Sequence, residues 1–379
     1  MVNYVFLSVY FYSVPNLRFS SFADPFRIYT LKEVLQRISF PVTVDENKLY
    51  YQIGIRSHSK GIFYKEAEIG RQIGNKRIFW IEPNCLILNI VFAWEQAVAK
   101  TSEKEVGMVA SHRFPMYKVL NNSLDYIVDF FKTEKGKQLL QMASPGGAGR
   151  NKTLNQDFFL NSKIYLPSLN EQLKTSELIE LIEDRIETQI KIIEDYKVLK
   201  KKISKQVIGS QKPNTHIYEC LENNSSSSKE SDFDEYTEGQ FPIYGANGVI
   251  KHINSYLIDI PSISIVKDGA GVGRTRFLYG KYTVIGTLNY LTSKNGYDLL
   301  YLYYALDNLD FTKYIVGSGI PHIYFKDYKH EMIYIPKDEK TINKIVRCLS
   351  SLDLLIHNEQ NLLLYLTKQK EYLLNNMFI

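Results

Sequence analysis

Residues 179–207 read IELIEDRIETQIKIIEDYKVLKKKISKQV, and residues 349–377 read LSSLDLLIHNEQNLLLYLTKQKEYLLNNM. In the first stretch Ile179, Ile182, Ile186, Gln189, Ile193, Tyr196, Lys200, Ile203 and Val207 fall three and four apart, the spacing of one helix face. The second matches it position for position, with Leu349, Leu352, Ile356, Glu359, Leu363, Leu366, Lys370, Leu373 and Met377, so that even the two polar interruptions recur. A helix of about 40 residues runs roughly 60 Å, and an apolar stripe of that length must be covered. The partner of equal length and pattern is the other copy, so the two helices are expected to pair as an antiparallel coiled coil. Setting Lys200 opposite Glu359 serves the polar positions: Gln189 then faces Lys370, Ile193 faces Leu366 and Ile203 faces Ile356. A slip of one heptad would set Lys200 against Leu352 or Leu366.

The duplication extends upstream of each helix. Gly147-Ala-Gly149, Asp157-Phe158 and Ile164-Tyr-Leu-Pro167 recur as Gly317-Ser-Gly319, Asp327-Tyr328 and Ile333-Tyr-Ile-Pro336. Farther back, Ile28-Tyr29 and Leu31 answer Ile217-Tyr218 and Leu221 more weakly. The chain therefore reads as one domain-plus-helix unit written twice. The first domain spans 1–168 and its helix 169–208; a linker occupies 209–215; the second domain spans 216–336 and its helix 337–379. Strand-like runs such as Leu86–Ile90 and Ser262–Val266 sit among helical stretches such as Ser123–Phe131 and Tyr297–Leu306, which predicts a mixed α+β class with two pseudo-repeated α/β domains. The serine-rich stretch Asn223–Ser231 reads as a loop inside the second domain.

Composition bounds the function without naming it. With 379 residues, 45% hydrophobic and 23% charged, the chain can bury two ordinary cores. A net charge of +5 favours a polyanionic partner but is too small for a chain that coats nucleic acid unaided. Cys85, Cys220 and Cys348 form no CxxC pair, which argues against a disulfide framework or a zinc site and fits a cytoplasmic location. Residues 1–13 are apolar but lack a basic leader and are too short to span a bilayer, so an edge strand or an ill-chosen start codon is expected there rather than an export signal.

In its layout the chain resembles the specificity subunits of type I restriction-modification systems over essentially its whole length. Pro15-Asn-Leu-Arg-Phe19, Asp24 and Leu31-Lys-Glu-Val34 look like the family's entry into the first recognition domain, as does the run from Tyr51 to Phe63. Phe241-Pro-Ile-Tyr-Gly-Ala-Asn-Gly248 and Asp268-Gly-Ala-Gly-Val-Gly-Arg274 look equally typical of the second. The resemblance implies that each domain reads half of a bipartite site in double-stranded DNA, with a spacer that the helices set. Two methylation subunits would dock on the helices and two restriction subunits would join them. The chain itself would then be no enzyme and hold no cofactor; S-adenosylmethionine, ATP and magnesium would belong to its partners.

Candidate contacts follow from residue chemistry. Asn247-Gly248 is a favoured hairpin turn and would present Lys251 and His252 at a tip, beside Tyr244. In the first domain the corresponding tip is Arg56-Ser57-His58-Ser59-Lys60, which combines a fork donor for guanine with hydroxyls and an imidazole. Gly146 to Thr153 imitates a phosphate-binding P-loop, but Asn151 stands where glycine is needed, leaving a glycine turn from which Arg150 and Lys152 can reach backbone phosphate. Its second copy, Gly317 to His322, lacks the lysine and offers His322. The glycines at 269, 271 and 273 fail the dinucleotide fingerprint and are expected to make a flexible turn carrying Arg274 and Arg276. Arg113, Lys267 and Tyr290 complete the DNA-binding set. Two rival functions remain open: a nuclease or methyltransferase with its own active site, although no Asn-Pro-Pro-aromatic loop or intact P-loop is present, and a coiled-coil scaffold that binds only protein.

Overall fold

A computed structural model describes residues 14–146, 152–233, 239–294 and 296–379. Residues 1–13, the glycine pair Gly147 and Gly149, and Arg150 lie outside the described residues. The chain forms two compact units, one running to Thr188 and including Leu362–Ile379, the other Gln189–Asn361. Each contains a mixed fold and a stretch of antiparallel helix pair.

In the first unit four strands lie side by side in the order Leu35–Ile38, Met116–Val119, Leu86–Leu88, Val98–Lys100, all antiparallel. The second unit repeats that order with Leu221–Ser225, Leu288–Ser293, Ser262–Val266 and Thr275–Leu278. Against each sheet packs a helix that the sequence anticipates: Leu124–Lys132, capped by the Ser123 hydroxyl, and Leu299–Leu306, capped by the Asp298 carboxylate. Each unit also closes on itself, since Arg27–Thr30 pairs with Lys163–Leu166 and Thr215–His216 with Met332–Ile333. The chain then turns at Pro167 and Pro336 into the long helices Leu169–Ser204 and Glu339–Met377. The first helix ends in a π-helical turn, Lys205–Gly209. Asn214, four residues beyond the turn's Ser210 cap, is fastened by its side chain to both the N–H and the carbonyl of Ile335.

Burial refines the internal alignment. Phe159 and Tyr328 are both fully buried whereas Phe158 is half exposed, so the aromatic counterpart of Tyr328 is Phe159, not Phe158. Asn223–Ser225, expected in a loop, instead forms the end of an edge strand paired with Asn289–Leu291. Polar residues with little strand preference are tolerated there because pairing and half-burial, rather than propensity, decide an edge strand.

None of the heptad positions named above is exposed, from Ile179 through the long helix to Val207 in its π-helical turn and from Leu349 to Met377. The pairing is antiparallel, but its register differs from the one that sequence polarity suggests. In the second unit Lys200 forms an ion pair with Asp353 at 2.6 Å, not with Glu359, and the Gln189 amide donates to Glu359, not to Lys370. In the first unit Lys370 pairs with Glu183 at 2.6 Å. The helices thus sit 6 residues from the expected register at Lys200 and 11 at Gln189, about one to one and a half heptads. Asp353 and Glu183 lie just beside the apolar seam positions, on flanks where a long lysine side chain can run along the seam and reach out. The two ion pairs are copies of one another under the 170-residue repeat, and Gln189 meets its own copy, 170 residues on.

Both acids are also engaged by the body of their own unit. Lys132, from the sheet-packed helix, reaches Glu183 at 3.0 Å and Asp129 at 2.8 Å, and Tyr304, on the corresponding helix of the second unit, donates its hydroxyl to Asp353 at 2.8 Å. Burial pushes the Glu183 carboxyl up, but the ammonium groups of Lys132 and Lys370 outweigh it and leave it below its ordinary value. Asp129, more deeply buried, is pushed up to about 6 despite Lys132.

Two tests follow. Asp353→Lys should destabilise the second unit by about 1–2 kcal/mol, and Lys200→Asp should restore part of that loss, with a coupling of about 1 kcal/mol in a double-mutant cycle read by urea unfolding. Glu359→Lys should show no comparable coupling to Lys200. The raised carboxyl of Asp129 binds a proton more readily folded than unfolded, so its contribution to stability is fully present below about pH 4 and is lost as pH rises through about 6. Asp129→Asn should flatten the stability profile of the first unit between those values; an unchanged profile would refute the assignment.

Candidate nucleic-acid interface

In the first unit the expected contacts converge on one connection, the segment Asn89–Gln96 that leaves the strand Leu86–Leu88. The tip Arg56–Lys60 joins the antiparallel strands Ile53–Ile55 and Ile62–Tyr64. It is tied to that connection by the amides of His58 and Ser59, which donate to the carbonyls of Glu95 and Gln96, and by the Ser57 hydroxyl, which donates to the Glu95 carboxylate at 2.9 Å. His58 and Ser59 both adopt left-handed backbone, at φ 58° and 53°. Such residues cost roughly 1–2 kcal/mol apiece and persist because the anchored loop over-determines them. Arg56, His58 and Lys60 remain exposed. Lys152 lies over the Trp94 ring at 5.1 Å, and Ile90 donates its N–H to the Arg113 carbonyl while accepting from Leu154. Arg113 is exposed beside them.

Within the second unit the equivalent connection follows Ser262–Val266, and a returning segment docks on it in the same way: Ile323 donates to the Lys267 carbonyl, as Leu154 does to that of Ile90. Beside Lys267, His322 Nδ1 is 2.7 Å from Asp268 Oδ1. Lys267, Asp268, His322, Asn223 and Asn289 line one open pocket, and the side-chain Oδ1 of Asn223 is buried without a hydrogen-bond partner. A second group forms at the hairpin. Arg276 does not ride a flexible turn; it stands on the strand Thr275–Leu278 in register with Ser264, which in turn pairs with Tyr290. Its guanidinium lies 5.9 Å from the Tyr244 ring, and a Cβ on Gly248 would come within 3.5 Å of it. Arg274, just before that strand, is exposed.

The alternating glycines now have a structural cause. Gly269, Gly271 and Gly273 all have φ near +87°, and a Cβ on Gly273 would approach Phe311 at 2.7 Å. The tip of the hairpin also differs from expectation: Ala246 and Asn247 are the two turn residues, while Gly248 opens the strand Gly248–Ile253. Lys251 and His252 therefore lie along the strand and not at its tip. The Lys251 ammonium is held by the Phe233 carbonyl, whereas His252 is exposed. Trp94, Asp268 and Asn223 were not among the contacts expected from the sequence, because each is made relevant by partners far away in the chain. Among the described residues no cluster of His, Cys, Asp and Glu could hold a metal ion, and no helix is long and apolar enough to cross a membrane.

Residues 215–372 match the family model of the type I restriction modification DNA specificity domain. The fold of nearly the whole chain is similar to that of the S subunit of a type I restriction-modification system from M. genitalium, with a TM-score of 0.64 at 15% identity over 97% of this chain and 99% of that one. It is also similar to a chain from a structure addressing complex assembly and conformational transition of the type I R-M system, with a TM-score of 0.59 at 15% identity over 93% and 97% of the two chains. No curated protein sequence matches the chain.

The connection in the first unit hangs on Gln96, whose amide donates to the Phe131 and Thr133 carbonyls at 3.0 and 3.1 Å. Gln96→Ala should strand both acceptors, destabilise that unit by about 2 kcal/mol and speed amide exchange at His58 and Ser59. Unchanged exchange would show that the tip is held by other means.

Proposed function

We propose that this chain, whose residues 215–372 form a type I restriction modification DNA specificity domain and whose fold is that of a type I S subunit, is the sequence-reading subunit of such an enzyme. The carrying observation is the repeat. The sheet order, the capped helix, the returning segment and the lysine–acid node of the second unit all recur in the first, although the family model matches only the second. Two copies of one recognition body suit a DNA site in two halves. The antiparallel helix pair then fixes the length of unread DNA between the halves, because a helix holds its rise of 1.5 Å per residue where a loop would not.

In the first unit the exposed Arg56, His58 and Lys60 carry base readout, with Lys152 and Arg113 on the phosphate backbone; in the second, Lys267, His322, Asn223 and Asn289 form one contact group and Tyr244, Arg276, Tyr290 and Asn247 another. Donors and acceptors mix in both units, as base edges require. No nucleophile or general base is assigned, because the role is recognition. Methylation subunits docked on the helices would supply S-adenosylmethionine chemistry, and restriction subunits would supply ATP-driven cleavage with magnesium. With only a modest positive charge of its own, the subunit relies on those partners to clamp the DNA.

Site-specific adenine methylation by the reconstituted complex tests this directly. Replacing residues 1–168 with those of another family member should change one half of the recognised site and leave the other half intact. If both halves stayed the same, the chain would not be the specificity determinant.

A further inference from the structure

A cavity of about 220 Å³ in the first unit lies apart from the tip Arg56–Lys60 and is built by segments remote in sequence. Arg37 stands on the strand Leu35–Ile38, in register with Tyr117. Arg77 and His112 flank the antiparallel strands Ile78–Trp80 and Val109–Ser111, and the His112 N–H donates to the Arg77 carbonyl at 3.2 Å. Phe79 and Phe114 form apolar walls, and Gln156 completes the lining. The Tyr117 hydroxyl, which burial pushes up to about 12, donates to Gln156 Oε1 at 3.1 Å, so the Gln156 amide presents its N–H groups. Among the described residues no carboxylate lines the cavity, whereas the larger cleft around Lys132 mixes both charges.

We propose that the cavity bounded by Arg37, Arg77 and His112 binds a phosphodiester of the DNA backbone beside the first half-site, fixing the register of the unit without reading sequence. This rests on the DNA-recognition function above and deepens it. Two guanidiniums, an imidazole and an amide supply donors from several sides of a concavity, which matches the oxygens of a phosphate group. A base edge offers a planar mixture of donors and acceptors and is met by a projecting side chain. The cavity is also continuous with the candidate interface. Ile90 lines it, and the same residue bonds through its backbone to Arg113 and Leu154, next to Lys152. Lys152 and Arg113 thereby sit on the connection that also reaches the cavity of Arg37, Arg77 and His112. Arg37, Arg77 and His112 were not singled out in the sequence, because three basic side chains 35 to 75 residues apart have no common motif.

The test uses the full chain in complex with its methylation subunits and a pool of randomised duplex DNA, with binding measured across a salt series and the bound sequences read out. Arg37→Ala with Arg77→Ala should weaken binding about tenfold or more at moderate salt, lower the slope of log affinity against log salt by about 1 and leave the selected motif unchanged; Arg37→Lys should retain most of the slope. Both arginines are exposed, so the double variant should fold, which thermal unfolding will show. Unchanged affinity and slope, with the wild type still selecting a motif, would overturn the phosphate site alone. So would a loss confined to one base position, the mark of a guanine contact. Inorganic phosphate that stabilised the wild type through these arginines, with DNA binding insensitive to their removal, would reassign the cavity to a free anion. A wild-type complex that selected no motif would overturn the DNA function itself.

Discussion

A carboxylate shared between three elements organises each unit. Glu183 takes Lys370 from the opposing long helix and Lys132 from the helix packed on the sheet, while Asp353 takes Lys200 and Tyr304 in the same roles. An ion pair confined to the seam would fix only the register of two helices. Adding a donor from the globular body ties that register to the sheet, and through the sheet to the connections that carry the candidate contacts. Breaking such a node leaves a partly buried charge without its partner, which costs more than the intact node contributes. The connections that carry the candidate contacts therefore sit on a defined frame.

The same node explains why polarity alone misplaced the register. Matching seam lysine to seam glutamate is a sound rule when the only partners are on the two helices. Here the acids that matter lie on the flanks, where the globular bodies also reach them, and Glu359 is satisfied by its own repeat copy, Gln189. Deep burial nearby leaves Asp129 as a carboxyl tuned by desolvation rather than by pairing.

At the candidate interface the residue types were legible and the neighbours were not. Arg56, His58 and Lys60 stand on a tip as expected, and Lys267 and His322 come together. Lys251, by contrast, is taken up by a main-chain carbonyl, Arg276 lies over the Tyr244 ring from within a strand, and Lys152 pairs with a tryptophan that no motif links to it. The glycine alternation at 269, 271 and 273 looked like flexibility and is instead a demand for left-handed backbone next to Phe311.

The sequence by itself determined the architecture: two mixed α+β bodies, each followed by a long helix whose heptad positions are buried or half-buried. That much is local, because helical periodicity and internal repetition are written along the chain. The tertiary structure alone decided the heptad in which the helices engage, the strand built from Asn223–Ser225, and the cavity that gathers Arg37, Arg77 and His112. Each of these depends on partners far away in sequence, and neither spacing nor propensity specifies which distant groups the fold will bring within a hydrogen bond.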